Sequence, residues 1–274
     1  MTFAFDRETA VESQGEGMWG AHIAPHWNIG DKPNGGYLMA VLLQALGSEL
    51  AVGVDDSGAE QPDPLTLTAH FLRPGIPDAP GTISTEVLKR GRSISTVRGT
   101  LVQDGKTRVE MMAGFGSLAN DMPADVDIDY PAPLFPPIED GTDRATLVQG
   151  VKEMSLLDRV EVRVLPEHSE IVLGSDARMA GWIRFVDGRP PDAVSLALFS
   201  DAFPPSLFSK LGTVGWVPTL EMTVQIRRRP APGWLAATFT TDDLTGGRFV
   251  ETGTLWDGTG QIVAHSRQLG LLLT

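Results

Sequence analysis

The chain has 274 residues, 42% hydrophobic and 21% charged, with a formal net charge of -13 and no cysteine. This is the composition of an ordinary soluble globular protein of one large or two modest domains. It argues against nucleic acid and anionic membranes as partners, which need a basic face, and it excludes disulfides, thiolate metal sites and cysteine nucleophiles.

Residues 1–10 lack the basic and apolar regions of a signal peptide, and no apolar run approaches the roughly 18 residues that cross a bilayer, so a cytoplasmic location is expected. Residues 18–29 read as a strand with Trp19 and Trp27, followed by a turn-rich stretch over 30–36. Residues 37–50, rich in Leu, Ala and Met, predict a helix apolar on most sides and therefore buried. Four strand-like segments follow, at 65–73, 81–89, 93–102 and 106–118, with Asp104-Gly105 marking a hairpin. One buried helix and an antiparallel meander make an α+β pattern.

Residues 120–139 are rich in Pro and Asp and hold no Lys or Arg, which marks a linker, because proline lacks the ladder donor. The pattern then repeats. Strands are expected at 158–165 and 180–186, and a second apolar helix at 193–203, stopped by Pro204-Pro205. Further strands are expected at 217–227, 233–241, 248–256 and 261–273. Asp104-Gly105-Lys106 matches Thr259-Gly260-Gln261, and Arg73-Pro74 matches Arg229-Pro230. The same order of elements at low identity reads as an internal duplication. It divides the chain into an N-terminal unit (1–119), a connecting segment (120–155) and a C-terminal unit (156–274). Joining the two sheets edge to edge would remove two exposed strand edges.

Asp201 interrupts an otherwise apolar helix candidate. A lone carboxylate there is costly unless paired, although a solvated helix end before Pro204 would also explain it. In the last strand, alternation puts Ala264, Ser266, Gln268 and Gly270 on one face, where a long amide among small residues has room to reach into a site. An edge-strand amide facing water is the alternative. Thr219 opens its strand and, by alternation, points away from the apolar face of Leu220, Met222, Val224 and Ile226. Gly35-Gly36 precedes the first helix, where backbone N–H groups can hold an oxyanion, or can simply make a tight turn.

Together these residues resemble the acyl-CoA thioesterase II family, a double-hotdog family, across nearly the whole chain. The first half carries the resemblance in Asn34-Gly35-Gly36-Tyr37, His70-Phe71-Leu72-Arg73-Pro74-Gly75, Gly91-Arg92-Ser93 and Gln103-Asp104-Gly105-Lys106. The second half carries it in Trp182-Ile183-Arg184, Ser200-Asp201, Thr219-Leu220-Glu221 and Ala264-His265-Ser266-Arg267-Gln268. The opening His26-Trp27-Asn28-Ile29-Gly30 departs from the family's usual start. The resemblance implies a double hotdog fold and acyl-CoA hydrolysis. It implies that Asp201, Thr219 and Gln268 hold the attacking water, and that Gly35, Gly36 and Tyr37 form the oxyanion and substrate side. No metal or organic cofactor is expected, and homo-oligomerisation is. Arg73, Arg227, Arg228 and Arg229, at the ends of equivalent strands, could meet CoA phosphates or be solvated strand ends. Two other readings stay open: a hotdog hydratase or dehydratase pairing His26 with Asp201, and a non-catalytic acyl-CoA binding module.

Overall fold

The computed structural model describes residues 2–52, 61–118, 132–147, 154–169, 176–212 and 217–273. A short helix α1 (Ala4–Glu8) leads into β1 (Val11–Gly15) and β2 (Met18–Ile23). The expected long first strand stops at Ile23, because Pro25 opens a 3-10 turn (Pro25–Trp27) and the chain then folds into a small hairpin, β3 (Asn28–Ile29) and β4 (Lys32–Pro33). Helix α2 (Gly35–Ala51) follows, then β5 (Asp63–Phe71), β6 (Ala79–Lys89), β7 (Ser95–Gln103) and β8 (Lys106–Gly116). The expected four-stranded meander is confined to β6–β8, because β5 pairs with β8 and not with β6. Most of the expected linker lies outside the described residues. Its described part runs into β9 (Thr142–Asp143) and α3 (Arg144–Leu147), then β10 (Val160–Val164) and β11 (Arg178–Phe185). Helices α4 (Ser195–Phe199) and α5 (Phe208–Leu211) precede β12 (Thr219–Ile226), β13 (Leu235–Thr245), β14 (Arg248–Trp256) and β15 (Ile262–Leu271).

One antiparallel sheet of 13 strands carries everything but the β3–β4 hairpin, in the order β1-β2-β6-β7-β8-β5-β12-β15-β14-β13-β11-β10-β9. Apart from β9, that order is a palindrome about the β5–β12 seam: a helix plus an antiparallel sheet, twice, as the α+β double-unit reading requires. The seam pairs Glu221 with His70 through to Gln225 with Thr66, and the Thr68 and Thr223 hydroxyls meet at 2.9 Å on its outer face. Its inner face (Leu67, Ala69, Met222, Val224) is buried, so period-two alternation holds on both sides of the join.

Helix α2 lies on the inner face against β5–β8 and α4, buried nearly all round from Gly36 to Leu46 as its composition requires. Asn34 caps it, its side-chain oxygen accepting from the Tyr37 N–H at 3.0 Å. The helices touch because Gly36 lacks a side chain: a Cβ there would stand 2.8 Å from Ala197 O and 2.8 Å from the Leu198 Cα. The second central helix is shorter than expected. Ahead of α4, Asp192 accepts from the Ser195 N–H at 2.8 Å, but the helix ends at Phe199, and residues 200–203 bend away. Pro204 disfavours helical backbone at Phe203, and with Pro205 it leaves no donors to continue the ladder.

The main hydrophobic core runs through both halves. The N-terminal segment also docks on the C-terminal half. Phe5 packs on Phe185 with ring centroids 5.1 Å apart, and Glu8 takes both Nε and Nη2 of Arg159 at 3.0 Å.

Candidate active site

The bend after α4 delivers Asp201 to the N-terminus of α2. Its Oδ2 accepts from the Gly36 N–H at 2.9 Å and from Asn34 Nδ2 at 2.8 Å, and the same amide donates to the Asp201 main-chain oxygen at 2.9 Å. Asn34 therefore caps its own helix and ties down a carboxylate from the other half. Gly35 makes room: a Cβ on it would stand 3.0 Å from Asp201 Oδ2 and 3.0 Å from the Phe71 ring. Enclosure by protein pushes the Asp201 carboxyl up to about 6. The Gly36 N–H and Asn34 pull it down, and the nearby charge of Glu251 pushes it further up.

On the sheet side, Thr219 and Gln268 meet, with the threonine hydroxyl donating to Gln268 Oε1 at 2.7 Å. Simple alternation had placed Thr219 away from the apolar face of its strand, and the structure corrects this. The β12–β15 pairing slips between Thr219 and Glu221, so Thr219 sits opposite Gly270 while Met222 sits opposite Gln268. That bulge returns Thr219 to the face shared by Met222 and Gln268. Gln268 is buried, and its Nε2 donates to Glu251 Oε1 at 2.6 Å. The other oxygen of Glu251 accepts from the Ser206 N–H at 2.6 Å. Burial raises the Glu251 carboxyl, while its bonds from Ser206 and Gln268 pull the other way. A carboxylate accepting from Gln268 orients the amide, so that its oxygen faces Thr219.

Asp201, Thr219, Gln268 and Glu251 line one cavity of about 530 Å³, whose other walls include Leu38, Phe71, Phe203, Phe208, Phe239 and Phe249. Polar groups converging in an apolar pocket are the usual makeup of a ligand site. Glu251 and Arg144 are charged lining residues that lay outside the expected site. Glu251 had a readable signal, since alternation places it on the buried face of β14 with Phe249 and Leu255. Arg144 had none, because it falls in the stretch read as a connection. It is buried, one Nη donates to Ala202 O, and burial lowers its guanidinium to about 10 while the Asp201 charge holds it up.

Other expected residues stand elsewhere. Gly35 lines the cavity, but Gly36 and Tyr37 do not. The Gly36 N–H, expected to hold an oxyanion, is occupied by Asp201. Tyr37 is core: its hydroxyl donates to Glu8 O at 2.6 Å and accepts from the Ala24 N–H at 3.0 Å, and its ring stacks on Trp27. Burial raises its phenol. Arg73 stands at the cavity rim and donates to Thr107 O at 3.1 Å. Arg227, Arg228 and Arg229 do not join it, since β5 and β12 run antiparallel and the equivalent strand ends lie at opposite ends of the seam. Arg229 there forms a two-pronged ion pair with Asp63, both contacts at 2.8 Å. His26 lies on the surface, 3.8 Å from Glu8 Oε1, and does not line the cavity with Asp201. Among the described residues no three His, Asp or Glu cluster as metal ligands, and no helix is long and apolar enough to cross a membrane.

Comparison with known proteins matches the chain in two parts. The family models for the acyl-CoA thioesterase N-terminal domain and the acyl-CoA thioesterase C-terminal domain match residues 23–116 and 133–272. A Thermobifida fusca protein classed as a thioesterase II has a similar structure, with a TM-score of 0.85 at 30% identity, covering 100% of this chain and 98% of that one. A hot dog fold protein of unknown function from Alicyclobacillus acidocaldarius matches with a TM-score of 0.84 at 23% identity, over 100% of this chain and 99% of the other. An uncharacterised Mycobacterium tuberculosis protein is 28% identical over 282 residues, 90% of this chain and 88% of its own.

Proposed function

This chain belongs to the acyl-CoA thioesterase II family, and from that premise we propose that it hydrolyses acyl-CoA thioesters to free acid and CoA. In this reading Asp201 activates the water. The observation that carries it is one cavity, mostly apolar, lined by both Asp201 and the hydrogen-bonded chain Thr219–Gln268–Glu251.

The Gly36 N–H and the Asn34 amide both bind Oδ2, and in this reading Oδ1 takes the proton. A carboxyl titrating near 6 is mostly ionised at neutral pH and still a better base than an ordinary aspartate. The threonine proton is committed to Gln268, so the Thr219 oxygen is left to accept from the same water. Glu251 fixes Gln268 and, through it, the rotamer of Thr219. Water held between Oδ1 and Thr219 pays its positional entropy before the chemistry begins. The phenylalanine walls would take the acyl chain, and Arg73 at the rim remains a candidate for a CoA phosphate. We read the chain as a fusion of units 1–119 and 156–274, with the site assembled from both.

The test is thiol release from acyl-CoAs of graded chain length. Release by the wild type and its loss in Asp201→Asn are expected. Undiminished hydrolysis in that variant ends the assignment of Asp201. Tight binding of CoA esters without thiol release would favour the non-catalytic module, and turnover of enoyl-CoA by hydration would favour the hydratase.

A further inference from the structure

Asp201 occupies the amides at the α2 N-terminus, so the charge that develops on the attacked carbonyl needs another partner. Three cationic side chains line the cavity: Lys32, Arg73 and Arg144. Lys32 pairs with Asp31 at 3.0 Å, and Arg73 is exposed at the rim. Arg144 differs in being only 3% exposed. A guanidinium offers five N–H donors, and this one has a single good acceptor. Nη1 donates to Ala202 O, in the buried bend that follows α4. Nη2 meets only the Met154 sulfur, at 4.0 Å, and Nε is buried with no partner. Among the described residues, no carboxylate pairs with it directly. Holding a cation with no direct ion pair inside a protein is costly, and the cost is sensible where an anion forms beside it. The Ser200 hydroxyl, next to Asp201 and also lining the cavity, is likewise buried without a partner.

We propose that Arg144 is the oxyanion donor of this site, its under-used guanidinium receiving the carbonyl oxygen of the thioester as water attacks. This rests on the thioesterase reading above. In the step, the water oxygen bonds to the carbonyl carbon, its proton passes to Asp201, and the C=O electron pair moves onto oxygen. Collapse of that adduct reforms C=O and breaks the C–S bond, and the CoA thiolate takes the proton from Asp201. Negative charge thus travels from Asp201 to the substrate oxygen and on to sulfur. A cation close enough to feel Asp201 can follow that charge without a change in the net charge of the cavity.

The experiment uses Arg144→Gln and Arg144→Met, the second chosen to pack beside Met154 if the first fails to fold. Thiol-release kinetics give kcat and KM. Two ligands then separate a role toward the oxyanion from a structural one: a trifluoromethyl-ketone CoA analogue, which forms a tetrahedral oxyanion adduct, and an S-alkyl-CoA thioether, which has no carbonyl. The expected result is a fall in kcat of about 10²–10³, the scale for losing one oxyanion donor, with KM nearly constant. The ketone should lose affinity by a similar factor while the thioether holds. Unchanged kcat, or equal weakening of both ligands, overturns the proposal and leaves the thioesterase reading standing. A wild type that releases no thiol from any acyl-CoA removes both.

Discussion

The two halves of the sheet repeat the same layout, yet the same positions in them hold opposite chemistry. Register identifies the counterparts. In the N-terminal half the β5–β8 pairing slips just after Pro64, which faces Phe115; in the C-terminal half the β12–β15 pairing slips just after Thr219, which faces Gly270. Thr219 therefore corresponds to Pro64, and Gln268 to Ala113. Across the next strand, Glu251 faces Gln268 and Val97 faces Ala113. Asn34 and Asp192 each accept from the N–H three residues on, before their helices, and the same distance beyond them stand Leu43 and Asp201. Asp201, Thr219, Glu251 and Gln268 are thus answered by Leu43, Pro64, Val97 and Ala113, all buried. Where one half has a cavity with two carboxylates, the other has continuous helix and core. The duplicated scaffold tolerates either content, because a polar cluster is affordable only where every member finds a partner or a ligand.

The sharpest test of that contrast is Asp201→Asn, which keeps shape and removes the base. Turnover should fall by about 10²–10⁴ with KM little changed. In the wild type, kcat/KM should rise with pH through about 6 and then level off, as the Asp201 carboxyl ionises. Stability moves the other way. The folded-state value lies above the ordinary 3.8, so the folded chain holds the extra proton and its advantage, present below about 4, is lost as pH rises through 6. Measured by denaturant unfolding, Asp201→Asn should therefore gain on the wild type between pH 4 and 7, by up to about 3 kcal/mol.

Leu43→Ala, at the counterpart position, should show the reverse profile: a loss of about 2–5 kcal/mol in unfolding free energy with kcat within a few-fold of wild type. A large loss of turnover there would mean that the halves share the chemistry after all. Gln268→Ala should lower turnover less than Asp201→Asn, about 10-fold to 100-fold, by freeing Thr219 and the water. The double variant should fall short of the product of the two single losses, because both act on one water. Smallest of all is Arg229→Ala, which breaks the ion pair between a half-exposed arginine and the buried Asp63 at the far end of the seam. It should cost roughly 1 kcal/mol or less and leave KM for acyl-CoA unmoved; a raised KM would return this arginine cluster to the CoA site.

Most of the fold was legible because strand period and turn residues are local signals. The segments over 81–89 and 248–256 and the buried helix α2 are examples. The candidate site was legible in its exceptions: a carboxylate in an apolar helix and a long amide among small residues. What escaped depended on tertiary context. The bulge that turns Thr219 inward exists only in the pairing of β12 with β15, so no period predicts it. The short α4 is ended by two prolines, but its loose carbonyls are accepted only because Asn34 and Arg144 are there to meet them. Gly36 looked like an anion site and proved to be a helix contact whose N–H holds Asp201. Arg144 sits in a short polar stretch whose burial nothing in its neighbourhood announces.

The seam has a consequence for the chain as it is made. β5 can pair with β8 as soon as the first half is complete, but its other edge waits for β12, about 150 residues further on. At ribosomal speeds of about 5–20 residues per second, that edge stays open for roughly 10–30 s. During this interval it is an unpaired strand with Leu67 and Ala69 on one face, the kind of surface that recruits a second nascent chain. Thr66, Thr68 and His70 on its other face make the edge less adhesive. Chains stalled before residue 219 should therefore be the aggregating species, and a chaperone that masks strand edges should matter most at that point in synthesis.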